Sequence, residues 1–280
     1  MHVISVRRWR LLPEFPAYAT FLDKLGWWAF RGVCVAVLGY LLVPILVIMP
    51  LSFSDSTFLV YPISGWSLRW YDNLFSSAEW ARAARNSFIV APAATLVATV
   101  LGVMAAIGLA RSNFPCKGLL ISLLIAPMIV PVVIVGVSCY LLFASIGLAD
   151  TYAGLIIVHA ALGAPFVLTT VLATLQGFDN NLVRASLAAG ATPLATFFRV
   201  TLPVIAPGVI SGALFAFATS FDEVVVTLFL AGPEQSTLPR QMFAGIRENI
   251  SPTIAAVATL LIIFTTALLL GLEWVRGRRR

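Results

Sequence analysis

Six long runs of the chain carry no charged side chain: residues 32–54, 86–110, 118–149, 151–178, 200–221 and 249–272. Each is at least 22 residues long, against the roughly 20 residues a helix needs to cross the apolar core of a bilayer. The pattern predicts six transmembrane helices near 32–52, 87–110, 119–145, 153–176, 205–229 and 252–274, and hence an all-α polytopic membrane protein. Between the first two runs lies the longest loop, 53–86, in which Trp66, Trp70, Tyr71, Phe75 and Trp80 recur. Residues 68–85 there read as an amphipathic helix on the membrane surface. Pro127 and Pro131 predict a bend in the third helix, because each removes a backbone donor. Small residues recur every fourth position at Ala94, Ala98, Gly102, Ala106 and Ala110, and again at Gly208, Gly212, Ala216 and Ser220. Such ladders allow close approach of helices in lipid, where no hydrophobic force draws them together.

Composition sharpens the picture. Hydrophobic residues make up 60% of the 280 and charged residues 11%, with a mean hydropathy of +0.97. A soluble domain is about 25% charged, so a soluble enzyme, a nucleic-acid reader and a disordered chain are all excluded. The charges also give an orientation, since cytoplasmic loops hold the excess of Lys and Arg. With the N-terminus inside, 13 of the 18 basic residues fall inside, and Arg69, Arg82, Arg85, Arg240 and Arg247 fall outside. Both termini are therefore expected in the cytoplasm. The net charge of +6 sits largely in the two tails, where it faces anionic headgroups. The first run lies too far from Met1 for an ordinary signal peptide and reads as an uncleaved helix. Cys34, Cys116 and Cys139 form neither a disulfide framework nor a CxxC site. His159, alone on an apolar span, is expected to hydrogen-bond between helices rather than to bind a metal; no metal or other cofactor is expected.

The stretch 176–202 is the most informative. Asp179, Asn180 or Asn181 can cap a short helix and Gly190 can end it. Thr192-Pro193 restarts the chain, and Pro203 marks entry into the fifth span. A short helix held rigidly across a loop is a handle for something outside the membrane. The pattern Ala185-Ser186, Gly190-Ala191, then Leu202-Pro203 resembles the "EAA" loop of binding-protein-dependent ABC importer permeases. Residues 220–226, with Gly232-Pro233, Leu238-Pro239, Ser251-Pro252 and Asn86-Ser87, are similar to the spermidine/putrescine permeases, particularly their second permease subunit. The likeness covers about residues 82–272. It implies a type I importer permease (MetI-like) fold and a bacterial inner-membrane location. It also implies four kinds of partner: a second permease subunit in a heterodimer, two copies of a cytoplasmic ATPase, a periplasmic solute-binding protein and the bilayer, with no nucleic acid. The loop residues it singles out are Arg184, Ala185, Ser186, Gly190, Ala191 and Pro203. One departure matters: Arg184 stands where the family has glutamate, and Ser186 where it has a second alanine, so a salt bridge made by that glutamate does not carry over.

The organisation expected is a cytoplasmic leader at 1–31, the first helix and periplasmic loop at 32–85, and a transmembrane core at 86–275. The core holds the coupling loop 177–202, and a cytoplasmic tail follows at 276–280. No P-loop, HExxH or GxSxG occurs, so the chain offers no phosphate cradle or hydrolytic site. No catalytic residue is expected, and ATP hydrolysis falls to the separate subunit. Chemistry concentrates at Asp222 and Glu223, which interrupt an apolar stretch. A charge costs about 2.5–3.5 kcal/mol at a helix centre in lipid, so both must face protein or water. Two readings follow. In one, Asp222 and Glu223, with Ser220, Phe217 and Phe221, line the path of a small cationic solute. In the other they form a helix cap or a rim salt bridge with Arg240 or Arg247. Another solute for the same machine, or a self-sufficient secondary transporter, are the competing functions.

Overall fold

A computed structural model describes Tyr18, residues 20–248 and residues 250–277. Most of the leader and the end of the tail, with Trp9 and the arginines at 278–280, lie outside the described residues. Helices α1 (Phe21–Leu51), α2 (Arg69–Ser76), α3 (Ala78–Arg111), α4 (Lys117–Ile125), α5 (Val132–Ser145) and α6 (Tyr152–Gln176) come first. Then follow α7 (Asn180–Ala188), α8 (Pro193–Thr196), α9 (Leu202–Phe221), α10 (Val225–Leu230), α11 (Leu238–Glu248) and α12 (Pro252–Gly277). Among the described residues the one β-type pairing is an isolated bridge between Ser54 and Trp66.

The centre is a three-helix core of α3, α6 and α9, and small residues set its spacing. Ala94, Ala98 and Ala106 are buried on α3, while Ala110 is exposed, so that ladder ends at Ala106. A Cβ on Gly102 would lie 2.7 Å from the Cβ of Val167, and one on Gly212 would lie 2.6 Å from the Val167 Cα. One on Gly208 would collide with the Thr174 hydroxyl, and Gly163 leaves room for Ala216 and Ala98. Hence α6 lies between the two ladders and touches both.

The apolar segments are consistent with the six expected, with corrected ends and breaks. Four helical stretches are long and apolar enough to span a bilayer: α1, α3, α6 and the continuous run Pro193–Phe221. The bent pair α4–α5 counts as a fifth if its two parts form one broken span, and Pro252–Leu268 of α12 is a shorter apolar helix. The first helix starts at Phe21 rather than 32, because Thr20 and Asp23 form a capping box, with Thr20 N–H donating to Asp23 Oδ2 at 2.9 Å. The expected surface helix at 68–85 is split at Ser77, whose hydroxyl caps α3. Its second half is therefore the start of a span, nine residues before the position predicted. The third helix is two, α4 and α5, separated by a 3-10 turn at Ala126–Met128 and bent by 95°. Pro127 and Pro131 each remove a donor and crowd the preceding turn, so the helix breaks rather than bends.

Pro203 does not mark an entry. The helical path runs unbroken from Pro193 through a π turn at Phe197–Thr201 into α9, and that wider turn shifts the hydrogen-bond register just before the proline. At its other end the fifth span stops at Phe221 instead of continuing to 229, and α10 follows as a separate short helix.

Candidate functional site

The two groups of predicted site residues lie at opposite ends of the core. At one end α9 finishes with the Asp222 N–H donating to Ala218 O at 3.0 Å. Glu223 and Val224 are non-helical, and the Glu223 Oε1 accepts the Val226 N–H at 2.8 Å, capping α10. The Asp222 side chain is exposed and makes no hydrogen bond or ion pair among the described residues. The break lets both carboxylates border one cavity of about 660 Å³, which α9 and α12 wall with Phe217, Phe221, Leu261 and Thr265. On a continuous helix, neighbours would point about 100° apart.

Two rings, Phe217 and Phe221, share the apolar side of this cavity with Leu214, Leu261 and Leu268, and two more pack behind them. Phe217 stacks on Phe221 with centroids 5.3 Å apart, and Phe264 of α12 lies 5.7 Å from Phe221. Phe88 of α3 closes the cluster, 5.6 Å from Phe221 and 5.4 Å from Phe264. Phe88 and Phe264 escape sequence reasoning, since each is one phenylalanine among 19 in apolar runs and no spacing pattern joins them to residue 222.

Ser220 turns the other way. Its hydroxyl lies 2.9 Å from Nδ1 of buried His159, whose Nε2 lies 3.2 Å from the Thr227 hydroxyl. His159 is thus an interhelical hydrogen-bonder, as its isolation on an apolar span predicts. The rim salt bridge is not formed. Arg240 instead donates to Gly232 O at 2.7 Å, and Glu234 pairs with Arg82 at 2.7 Å. The capping half of that reading holds for Glu223 alone.

A second cavity of about 690 Å³ opens beside the first, lined among others by Glu79, Arg82, Arg240, Gln241 and Arg247. Burial pulls the Arg240 guanidinium below its ordinary pKa, opposed by the nearby Asp150 charge. The loop between the cavities is latched to α3 and α6. Asn86 donates to the carbonyls of Glu234 and Ser236, both at 2.8 Å, and accepts from the Tyr152 hydroxyl at 2.8 Å. The Leu238 N–H donates to Ser87 Oγ at 2.8 Å.

At the opposite end Asp179 caps α7 through the Asn181 N–H, and Thr192 caps α8 through the Ala195 N–H. Gly190 sits between them with φ +87°, the left-handed conformation that ends helices. Arg184 and Ala185 are exposed, Ala191 is half-buried, and Pro203 faces outward on α9. The Ser186 hydroxyl lies 3.0 Å from that of buried Thr196, so the serine in place of alanine ties α7 to α8. Leu182, Leu187, Leu194 and Phe198 leave apolar surface on this end. Among the described residues no group of three His, Cys, Asp or Glu side chains could hold a metal ion.

Residues 98–280 match the family described as binding-protein-dependent transport system inner membrane component. The spermidine/putrescine permease protein PotC of Haemophilus influenzae is 32% identical over 234 residues, covering 83% of this chain and 90% of that protein. The putrescine permease protein PotI of Escherichia coli is 34% identical over 239 residues, covering 82% and 85%. The fold is that of a chain in the crystal structure of a bacterial ABC transporter that imports the acidic polysaccharide alginate. Its TM-score is 0.71 at 14% identity, over 94% of this chain and 99% of that one. A second structure of an alginate transporter, in complex with its ligand-bound periplasmic protein, gives a TM-score of 0.66 at 16% identity, over 88% and 93% of the two chains. Together with the apolar segments and the three-helix core, these matches identify the chain as a member of the binding-protein-dependent inner membrane component family, a permease subunit of an ABC importer.

Proposed function

We propose that this permease passes a small cationic solute of the polyamine class from a periplasmic binding protein to the cytoplasm, and that Asp222 meets it on the way. The observation that carries the reading is an unpartnered carboxylate in a cavity that Phe217 and Phe221 help to line. A polyamine loses water on entering such a cavity. A charge-assisted hydrogen bond from an ammonium group to Asp222 offsets part of that loss, and rings such as Phe217 and Phe221 offer cation–π contact and cover the methylene segments. One free carboxylate also leaves release possible, since Glu223 is already engaged as a cap. The relatives named for spermidine and putrescine transport, similar over four-fifths of this chain, support the same class.

In this reading the Asp222 end faces the periplasm and both termini face the cytoplasm. The 86–275 segment is the working core beside a partner permease. The α7–α8 loop is gripped by an ATPase, two copies of which serve the pair of permeases. Closure of the ATPases moves α7, and the unbroken path from Pro193 to Phe221 carries the motion to Asp222 as a discrete rigid element. A second reading has its own observation: the arginine-lined cavity suits an anionic solute. The free carboxylate and the relatives favour the cation.

The test is uptake by the assembled importer in vesicles. Asp222→Asn keeps the shape and removes the charge. It should lower spermidine or putrescine uptake about tenfold, the worth of one charge-assisted bond, with complex assembly and ligand binding by the periplasmic protein unchanged. Normal uptake, or a loss matched by missing complex, removes Asp222 from the path.

A further inference from the structure

The turn at 222–224 is held from inside the bundle by a single ring. His159 is 1% exposed and projects from α6 between the last turn of α9 and the first turn of α10. Its two nitrogens reach Ser220 and Thr227, which lie on either side of the acidic turn. The hydrogen-bond balance of the cluster closes. The Thr227 hydroxyl donates to Glu223 O at 3.2 Å, which leaves a Thr227 lone pair to accept from His159 Nε2–H. His159 Nδ1 then accepts from the Ser220 hydroxyl. With the opposite tautomer Nδ1–H donates toward Ser220 and Nε2 accepts from the Thr227 hydroxyl, so the ring bridges the two residues in either form.

We propose that His159 is a positioning residue for solute passage: by bracing Thr227 against α6 it fixes how the turn presents Asp222 to the cavity. The proposal rests on the reading of Asp222 as the solute contact. Without the ring, Ser220 and Thr227 still sit on helices, but among the described residues no other side-chain hydrogen bond joins the last turn of α9 to the first turn of α10. The turn then has neighbouring rotations available to it, and the backbone that carries Asp222 loses its fixed position. Small misplacements of a binding group cost rate out of proportion to their size. The Glu223 cap would persist, because it is local to α10.

Three substitutions separate positioning from packing. His159→Gln can place an amide N–H near the original Nε2 and keep the bond to Thr227. His159→Asn reaches only as far as the original Nδ1, and so keeps Ser220 alone. His159→Leu keeps neither. In the complete importer, uptake per assembled complex should fall about tenfold for the Leu and Asn variants and stay within about threefold for Gln, as loss and rescue of one buried hydrogen bond require. A second arm reads geometry without transport. Asp222→Cys, in a chain whose three native cysteines are serine, is modified with a cationic thiosulfonate. Adding His159→Leu should change its modification rate several-fold, and adding His159→Gln should not. Uptake of the Leu variant within about twofold of the unsubstituted importer overturns the proposal. So does equal loss in all three variants with an unchanged modification rate, which means that the ring only fills space. If Asp222→Asn transports normally, the solute reading falls while the thiol arm still decides whether His159 positions the turn.

Discussion

Gly212 decides how close α9 comes to α6. A side chain there has no space beside the Val167 backbone and the Thr170 hydroxyl, and a packed interior yields little. Gly212→Leu should therefore lower the melting temperature of the detergent-purified permease and the yield of assembled importer, at a cost of about 1–3 kcal/mol or more. Gly108→Leu, where a Cβ would meet nothing within 4 Å, should leave both unchanged. Equal behaviour of the two variants would show that the spacing is not set by these contacts. Asn86 tests another kind of constraint. It is fully buried, and removing its amide strands the Ser236 carbonyl and leaves the Tyr152 hydroxyl and the Glu234 carbonyl only their 3.4 Å bond to each other. Asn86→Ala should destabilise the permease by about 1–3 kcal/mol and raise the protease sensitivity of the 231–238 loop; an unaltered cleavage rate would mean that the latch is redundant. The small-residue ladders could be read from sequence because their period is that of the helix. Asn86 could be singled out only by likeness to a family, because nothing in residues 80–90 announces a partner nearly 150 positions away.

At the scale of elements, the interiors of the spans were legible and their ends were not. Absence of charge marks what lies in lipid, yet helices continue past that limit wherever a cap such as Thr20 or Ser77 offers a better start. The prolines at 127 and 131 predicted a bend, but sequence alone carries no angle; across the 95° break α4 lies against the α3–α6–α9 cluster and α5 against α10. The acidic pair was legible as an expense to be explained. Its division of labour, one carboxylate as cap and one free, needed the break at Phe221. The short helix at 180–188 and its end at Gly190 were legible from their caps. Gly190 has its positive φ, but a Cβ there meets open space within this chain, so tight packing against its own neighbours is not what requires glycine. Conformation and a docked partner remain as reasons, and they can be told apart. Gly190→Asn tolerates the left-handed region and should retain coupling if conformation alone matters. Gly190→Leu should uncouple, leaving ATP hydrolysis by the complex while uptake falls severalfold. Normal transport by Gly190→Leu would end the handle reading.

For the molecule as a whole, the proposed orientation has an electrostatic corollary. With both termini inside, the outward segments hold Asp55, Asp72, Glu79, Asp150, Asp222, Glu223, Glu234 and Glu248 against five arginines. The outer face is therefore negative by three charges, although the chain is positive by six. That sign raises the concentration of a cationic solute at the outer mouth. The orientation is checked by labelling single cysteines in intact cells with an impermeant reagent. Residues introduced at Ser76 and Gln235 should react and one at Ala188 should not; reaction at Ala188 inverts the topology and the corollary with it. The way α1 is held also sets a timetable for making the protein. Its principal helical contact is α12, so the first span synthesised is tied down by the last. The α3–α6–α9 core can close while the ribosome is still at work, as units do in sequential synthesis, but α1 must wait in lipid until the final turns emerge. A nascent chain stalled before α12 would thus carry a finished centre and an untethered first helix.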